Sequence, residues 1–157
     1  FSHYPNVWCH GDYVKLMDND GMIFYGRSDT TLNRGGVRIG TAEIYRQVEL
    51  LNEVLESIVV EQNLDDDSRI ILFVKLDKDK QLSAALKEKI VNQIRSNTTP
   101  RHVPDMILQV SDIPRTKSGK IVELAVQKAI NNLPIDNKTA LENPEILEEY
   151  YNLKELE

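Results

Sequence analysis

The spacing of apolar and turn-forming residues in the first third of the chain predicts a β-hairpin and then a helix. Asp12–Leu16 and residues 22–26 are predicted to be two short strands, because Asp18-Asn19-Asp20-Gly21 between them is typical of a turn. Asn33-Arg34-Gly35-Gly36 predicts an interruption of any regular element. Thr41 is predicted to cap a helix with apolar residues at i, i+4 and i+7. These apolar residues are Ile44, Val48 and Leu51.

Two apolar stretches in the middle of the chain predict the strands of a sheet. Residues 54–61 are rich in β-branched side chains, and residues 69–76 contain the unbroken run Ile70-Ile71-Leu72-Phe73-Val74. Such a run is typical of a strand that is covered on both faces. We therefore expect both strands to lie centrally, joined by a solvated turn at residues 65–68.

The second half of the chain predicts two more helices and one more strand. Ser83 is predicted to cap the second helix, which should end before Pro100, and Met106–Val110 is predicted to be a strand. Apolar residues recur at helical spacing in both helices. They are Leu86, Ile90 and Ile94 in the second helix and Val122, Val126 and Ile130 in the third.

Together these elements predict an α+β fold. We expect a small mixed three-stranded sheet flanked by helices, preceded by a β-hairpin and followed by an acidic, partly helical C-terminal tail. Pro144 is predicted to stand in the first turn of a helix in that tail.

Charge and composition exclude several classes of protein. Residues 133–157 contain seven acidic and two basic residues, so they carry −5 of the net charge of −6 and leave −1 for the rest. A nearly neutral body lacks the basic stripe that a general nucleic-acid binder needs. Cys9 is the single cysteine, which excludes an internal disulfide and favours a reducing compartment. Without a long apolar run or a signal peptide, we expect a cytoplasmic protein.

A basic loop, "PRTKSGK" at residues 114–120, is the first candidate for chemistry. Such a loop can hold a phosphate, form a surface turn or carry a single reactive amine. It is not a nucleotide-binding P-loop, because Pro114 replaces the first glycine and Ile121 follows the lysine where a hydroxyl is needed. The other glycine cluster is not a dinucleotide fingerprint, because Val37 replaces its second glycine.

Metal and hydrolase sites are not indicated by the remaining candidate residues. A zinc site would need converging ligands, and the four candidates lack the usual paired spacing. A hydrolase would need a Gly-x-Ser-x-Gly elbow, which the sequence does not contain. The zinc candidates considered are His3, Cys9, His10 and His102.

Three stretches taken in order carry a resemblance to a known superfamily. They are "HGD" at residues 10–12, "GRSDTTLNRGGVRIGTAEIY" at residues 26–45 and "PRTKSGK" at residues 114–120. In this order and spacing they resemble the closing motifs of the adenylate-forming enzymes, which include acyl-CoA synthetases, luciferases and peptide-synthetase adenylation domains. Each stretch alone is a weak signal, whereas the combination is specific.

Within the superfamily, "PNVWCHGDYVK" and "SGKIVELAVQKAI" look most like the branch that activates acetoacetate. The acetyl-CoA and propionyl-CoA branches are similar, but they typically continue the motif as Lys-Ile-x-Arg, where this chain has Glu123. An acetyl-CoA or propionyl-CoA branch member remains an alternative. A non-catalytic interaction module with the same fold is another.

The resemblance covers nearly the whole chain but only the last quarter or so of such an enzyme. It implies an excised piece, inactive alone, with residues 1–28 as a remnant of the preceding domain, residues 29–132 as a mobile C-terminal lid domain and residues 133–157 as a tail. ATP, acetoacetate and CoA are the implied substrates, and Mg²⁺ and most of the ATP would be bound by the missing N-terminal domain. We expect the hairpin at residues 12–26 to be mobile or to pack against a neighbouring copy.

The resemblance also implies roles for individual residues. Lys120 matches the catalytic lysine of adenylation, and a compact ammonium on a flexible stem suits that role. Asp12 matches the aspartate that binds the ribose hydroxyls, because a carboxylate can accept two hydrogen bonds. Asp29 matches the hinge about which the C-terminal domain rotates.

The remaining implied residues are two arginines and two glycines. Arg27 and Arg38 match arginines that approach the ribose and phosphates, for which guanidinium groups are suited. Gly35 and Gly36 lie where relatives let the pantetheine arm of CoA pass close to the backbone. An ordinary surface arginine or turn glycine is the alternative at each position.

Overall fold

A computed structural model describes residues 5–65, 67–135, 138–151 and 153–156. Its first element is the predicted hairpin, in which β1 (Asp12–Leu16) pairs antiparallel with β2 (Met22–Arg27). Strand β2 packs on the first helix, and the backbone of Tyr25 lies so close to Gly40 that a Cβ at position 40 would clash with it. No helix in the described part of the chain is long and apolar enough to cross a membrane.

The predicted interruption at residues 33–36 is wrong, because this segment belongs to a second hairpin. Strand β3 (Leu32–Arg34) pairs antiparallel with β4 (Val37–Ile39), and Gly35 and Gly36 form the turn. Their φ angles of +58° and +80° are both in the left-handed region. A two-residue turn with two positive φ angles matches the twist of a hairpin, and glycine adopts it without a steric penalty.

The first helix, α1 (Thr41–Val48), begins one residue earlier than the predicted cap allowed. Gly40 is the N-cap, and its amide donates to the Glu43 carboxylate, whereas Thr41 is the buried first residue of the helix. The prediction that Thr41 caps the helix is therefore wrong, because Thr41 already belongs to the helix. The tight approach of Tyr25 leaves room only for glycine at the cap position 40. The predicted apolar face is buried as expected.

The central sheet contains β5 (Val54–Asn63), β6 (Ser68–Leu76) and β7 (Met106–Val110), in the order β5-β6-β7. Strands β5 and β6 are antiparallel and β6 and β7 are parallel, which confirms a mixed three-stranded sheet. The expectation that both predicted strands are central holds for β6 and is wrong for β5, which is an edge strand. The sequence of β5 is apolar on both faces, as in an inner strand, because each face of β5 packs against one of the two hydrophobic cores.

Two helices follow the predicted pattern. Helix α2 (Ala84–Asn97) connects β6 to β7, and the Ser83 hydroxyl accepts a hydrogen bond from the Leu86 amide at 3.2 Å, which confirms Ser83 as its cap. Helix α3 (Glu123–Ile130) begins after Val122, which is its N-cap. The buried residues Val126 and Ile130 lie on its core side.

The sheet separates two hydrophobic cores. On one face α1, α2 and the β3–β4 hairpin cover alternate residues of β6, and on the other face α3 and the C-terminal segment cover the remaining ones. The first set on β6 is Ile70, Leu72, Val74 and Leu76, and the second is Ile71 and Phe73.

The C-terminal segment, residues 138–156, packs against the second core. Pro144 begins the 3-10 helix Pro144–Tyr150, as its predicted first-turn position suggested, and shorter 3-10 turns occupy Lys138–Ala140 and Lys154–Leu156. The Tyr150 ring is fully buried and packs edge-on against Phe73 with 4.9 Å between ring centroids. The part of this segment that the structure describes is thus integrated into the fold by its apolar residues, while most of its acidic side chains are exposed and Glu149 accepts hydrogen bonds from Ser111.

We predict that Ser83→Ala lowers the free energy of unfolding by about 1 kcal/mol, because the first turn of α2 loses its side-chain cap. Chemical denaturation monitored by circular dichroism measures this change. The matched control is Ser96→Ala, at an exposed position inside the same helix, which should change stability by less than about 0.5 kcal/mol. Equal effects of the two substitutions would contradict the capping role.

Candidate functional site

The loop that carries Lys120 is a small closed turn; we call residues 114–121 the lysine loop. The Thr116 amide donates to the Lys120 carbonyl at 2.8 Å, and the Gly119 amide donates to the Thr116 carbonyl at 2.7 Å. The Thr116 hydroxyl accepts from the Lys120 amide at 3.1 Å. Gly119 has a φ of +80°, which lets the chain turn back at this point. The backbone of Lys120 is therefore fixed while its side chain is exposed.

Arg115 holds the base of the lysine loop against the sheet. Its guanidinium donates to Glu56 on β5 at 2.5 Å and to the Gly119 carbonyl at 2.8 Å. Arg115 also forms a β-bridge with Ile121, so that the two ends of the loop are paired. The cation of Arg115 is neutralised by a carboxylate, whereas Lys120 has no ionic partner among the residues that the structure describes.

The C-terminal segment pairs with the other side of the lysine loop. The Arg115 amide donates to the Asn143 side-chain oxygen at 3.1 Å, and its carbonyl accepts from the Glu142 amide at 2.9 Å. The Lys117 amide donates to the Ala140 carbonyl at 3.2 Å. The loop is thus held between the sheet and the C-terminal segment.

Asp112 links the end of β7 to this arrangement. The Lys75 ammonium donates to Asp112 at 2.7 Å, which lowers the pKa of the Asp112 carboxyl and raises the pKa of Lys75. The Asn143 amide donates to the second Asp112 oxygen at 3.1 Å. The Tyr150 hydroxyl donates to the Asp112 carbonyl at 2.8 Å, and burial raises the pKa of that hydroxyl.

A second group of candidate residues lies where the first hairpin meets the following segment. Arg27 donates to both carboxylate oxygens of Asp29 at 2.8 Å, and this pairing lowers the pKa of Asp29 and raises that of Arg27. Asp12 is paired in register with Arg27 and lies 2.7 Å from the ring nitrogen of His10. The structure therefore brings Asp12, Arg27 and Asp29 together.

Three side chains join this group to the start of α3. Glu123, the first residue of α3, accepts hydrogen bonds from the Thr30 hydroxyl at 2.6 Å and the Tyr45 hydroxyl at 2.5 Å. The Tyr45 oxygen also accepts from the Val59 amide on the edge strand β5 at 3.2 Å. The pKa of Tyr45 is raised, first by burial and then by the Glu123 charge, which keeps this hydroxyl a donor.

The remaining candidates lie on the glycine hairpin, the name we use for β3, β4 and their turn. Gly35 and Gly36 are exposed, and an added Cβ on either would meet no described atom within 4 Å. The Arg38 side chain is exposed on β4. Arg34 fixes the hairpin by donating to the Val103 carbonyl at 2.6 Å and pairing with Asp105.

The lysine loop and the glycine hairpin lie toward opposite ends of the sheet. Arg115 ties the lysine loop to Glu56 near the start of β5, whereas the Asn33 amide of the glycine hairpin donates to Glu61 near its end. The strand between Glu56 and Glu61 spans about 17 Å. The two loops are therefore anchored at well-separated points of the same strand.

The described residues do not fit a magnesium site. No group of three or more His, Cys, Asp or Glu side chains in the described ranges converges in a way that could hold a metal ion. The carboxylate of Asp29 already forms an ion pair with Arg27, and that of Asp112 forms one with Lys75. These carboxylates are therefore not suited to hold a metal ion.

Sequence reasoning missed the residues that position the loops. Thr30, Tyr45 and Glu123 come from three distant segments, and Asn143 lies in a stretch without a recognisable motif. The motif at residues 26–45 contains Thr30 and Tyr45, and the departure from the Lys-Ile-x-Arg run marks Glu123, but neither signal showed that these side chains meet.

Comparison with known proteins shows that one family model matches the chain up to the lysine loop. The family model of the AMP-binding enzyme C-terminal domain matches residues 47–120, which contain the sheet, α2 and the loop up to Lys120 itself. Residues 47–120 are therefore similar to the C-terminal domain of AMP-binding enzymes.

Similarity to individual proteins extends beyond this C-terminal domain to nearly the whole chain. The chain is 53% identical over 99% of its length to the acetoacetyl-coenzyme A synthetase of Rhizobium meliloti strain 1021, and 46% identical over 100% of its length to the acetoacetyl-CoA synthetase of Danio rerio. The solved structure of acetoacetyl-CoA synthetase from Streptomyces lividans is 40% identical and superposes over 96% of this chain with a TM-score of 0.86. The chain spans 24% of each of the two curated relatives and 23% of that solved chain.

We predict that Tyr150→Phe destabilises the fold by about 1 kcal/mol, because the partly buried Asp112 carbonyl loses its hydrogen bond while the ring packing on Phe73 remains. Thermal unfolding measures the loss, and hydrogen exchange should show faster exchange of the Arg115 and Lys117 amides. Tyr151→Phe is the matched control, because the Tyr151 ring packs under Lys138 and keeps that contact without its hydroxyl. If Tyr151→Phe has the same effect on those amides, Tyr150 does not anchor the lysine loop.

Proposed function

We propose that this chain is the C-terminal part of an AMP-forming acid–CoA ligase that converts acetoacetate, ATP and CoA into acetoacetyl-CoA, AMP and pyrophosphate. The observation that carries the proposal is the similarity over the whole chain to acetoacetyl-CoA synthetases, at 53% and 46% identity. The lysine loop supports it, because a fixed backbone that presents one exposed ammonium suits a reaction in which negative charge develops.

In the first half-reaction, a carboxylate oxygen of acetoacetate attacks the α-phosphorus of ATP and pyrophosphate leaves. The attacking oxygen gives up negative charge as its bond to phosphorus forms, and negative charge develops on the α-phosphate oxygens and on the oxygen that leaves with pyrophosphate. We assign Lys120 to this step, because a positioned cation lowers the free energy of such a transition state. Its rigid backbone means that little reorganisation is needed when it reaches the nucleotide.

In the second half-reaction, the CoA thiol attacks the acyl carbon and AMP leaves. We assign the turn of the glycine hairpin to the passage of the pantetheine arm, since nothing projects from Gly35 or Gly36 to block it. Arg38 lies on the same hairpin with an exposed guanidinium, which suits phosphate oxygens. Because the two loops lie toward opposite ends of the sheet, the domain would have to rotate between the steps.

The group around Asp29 is assigned to the nucleotide and the hinge. Asp12 would accept hydrogen bonds from the ribose hydroxyls, and Arg27 would bind the nucleotide from the same side. Arg27 is bound to Asp29 by two hydrogen bonds in this structure. Rotation about Asp29 would therefore move Lys120 relative to Arg27, which stays with residues 1–28.

The rest of the active site is assigned to the part of a longer protein that the chain does not include. We propose that residues 29–132 rotate as one lid and that residues 1–28 belong to the preceding domain. Leu16, Met22 and Phe24 on the first hairpin are 71%, 58% and 49% exposed, and such an apolar face is suited to contact with that domain. The acid pocket, most of the ATP site and any Mg²⁺ would lie there, so we expect the isolated chain to be inactive.

We predict that Lys120→Ala in the intact enzyme reduces acetoacetate-dependent pyrophosphate exchange by about 10²-fold or more, because the adenylation transition state loses its cation. Thioester formation from supplied acetoacetyl-adenylate and CoA should change by less than about threefold. Lys117→Ala is the control, since Lys117 is an exposed lysine of the same loop whose backbone contact survives the substitution. Unchanged pyrophosphate exchange in Lys120→Ala would contradict the proposed function.

We predict that Gly36→Ala and Gly119→Ala affect different half-reactions. Both glycines have a φ of +80° and an open position for a Cβ, so alanine introduces a matched backbone strain of about 1 kcal/mol at each. Gly36→Ala should slow thioester formation selectively, and Gly119→Ala should slow pyrophosphate exchange selectively. The same pattern of loss in both variants would argue against a separate role for each loop.

A further inference from the structure

We propose that Glu123 is a positioning residue that couples the hinge to the lysine loop, so that rotation about Asp29 delivers Lys120 to a defined position. This inference rests on the proposed function, because it assigns a task to Glu123 within the same adenylation step. Glu123 itself is not expected to touch a substrate.

The first step of the argument is the bond between Thr30 and Glu123. Thr30 follows Asp29 directly, is 8% exposed and donates its hydroxyl proton to one oxygen of Glu123 at 2.6 Å. The two residues are 93 positions apart in the chain. Thr30 is thus the first residue after the hinge that is fixed to the body of the domain.

The second step is that the carboxylate cannot move freely. Its other oxygen accepts the Tyr45 hydroxyl proton at 2.5 Å, and the Tyr45 oxygen in turn accepts from the Val59 amide. Glu123 is therefore held by α1 and by the edge of β5 while it binds the hinge segment. A carboxylate is required here, because both hydroxyls act as donors and an arginine at position 123 would have no acceptor to offer them.

The third step is the short and rigid path from Glu123 back to Lys120. Glu123 is three residues after Lys120 in the sequence. Of the two residues between them, Ile121 is bridged to Arg115, and the Val122 amide donates to the Pro114 carbonyl at 3.2 Å. A displacement of Glu123 is therefore transmitted to the lysine loop, because no flexible residues lie between them.

The charges around Glu123 support this arrangement. Arg27, on the other side of Asp29, is the cation whose charge interacts with Glu123, Asp12 and Asp29. The Arg27–Asp29 pair and the Thr30–Glu123 bond thus hold the two sides of the hinge residue. Because an error of about 1 Å in the position of a catalytic group can cost 10²-fold in rate, loss of this link should affect the step that uses Lys120.

The test uses the intact enzyme with Thr30→Val and Glu123→Ala, assayed in both half-reactions. Thr30→Val keeps the shape of the side chain and removes only the bond to Glu123. We expect both variants to reduce pyrophosphate exchange by about tenfold or more, and to change thioester formation from supplied acetoacetyl-adenylate by less than about threefold. Hydrogen exchange in Thr30→Val should also show faster exchange of the Gly119 and Lys120 amides.

Two comparisons separate the possible results. Thr98→Val is the matched control, because it removes a threonine hydrogen bond of the same 2.6 Å length at the end of α2, far from the hinge in sequence. Lys120→Ala is measured in parallel, and its failure to affect pyrophosphate exchange would overturn the proposed function itself. If Lys120→Ala abolishes exchange while Thr30→Val behaves like Thr98→Val, or slows both half-reactions equally, the role of Glu123 is overturned and the proposed function remains.

Discussion

Strand β6 carries apolar side chains on both of its faces, and water must be excluded from both. Ile70, Leu72 and Val74 face α1 and α2, while Ile71 and Phe73 face α3 and the C-terminal segment. This burial provides the main driving force for assembly, at roughly 25 cal/mol for each Å² of apolar surface removed from water. The same burial puts the two candidate functional loops on opposite sides of the sheet. The glycine hairpin covers one face, and the helix that follows the lysine loop covers the other.

The lysine loop combines a rigid backbone with an exposed side chain. Hydrogen bonds from the sheet and from the C-terminal segment fix residues 114–121, whereas the Lys120 side chain projects from them into solvent. This combination suits a domain that has to move as a body. A cation on a loose loop would lose conformational entropy each time it met a substrate, whereas a cation on a fixed loop has lost most of it on folding. Through its hydrogen bond with Thr30, Glu123 extends the same rigidity to the segment after Asp29, the residue proposed as the hinge.

Patterns that depend on neighbouring residues were predictable from the sequence. Ser83 caps α2, and the runs that predicted β6 and β7 form those strands, because local propensity and the covering of apolar faces agree there. The order of the motifs around Gly26 and Lys120 was also sufficient to predict the family, since a motif is defined by residue types and their spacing, which can be read from the sequence alone. The boundaries at residues 28 and 132 remain predictions.

Features that depend on contacts between distant segments were decided only by the tertiary structure. The cap of α1 is Gly40, where Tyr25 from the first hairpin leaves no room for a side chain, and β5 is an edge strand because β6 pairs with β7 on its other side. Glu123 is 93 residues from Thr30 and 78 from Tyr45, so no local pattern could show that their side chains meet. Local patterns in the sequence predicted most of the strands and helices, and the motif around Lys120 led to the proposal that its amine is reactive. Packing decided which side chains hold that amine in place, because hydrogen-bond partners become neighbours only after both faces of the sheet are covered.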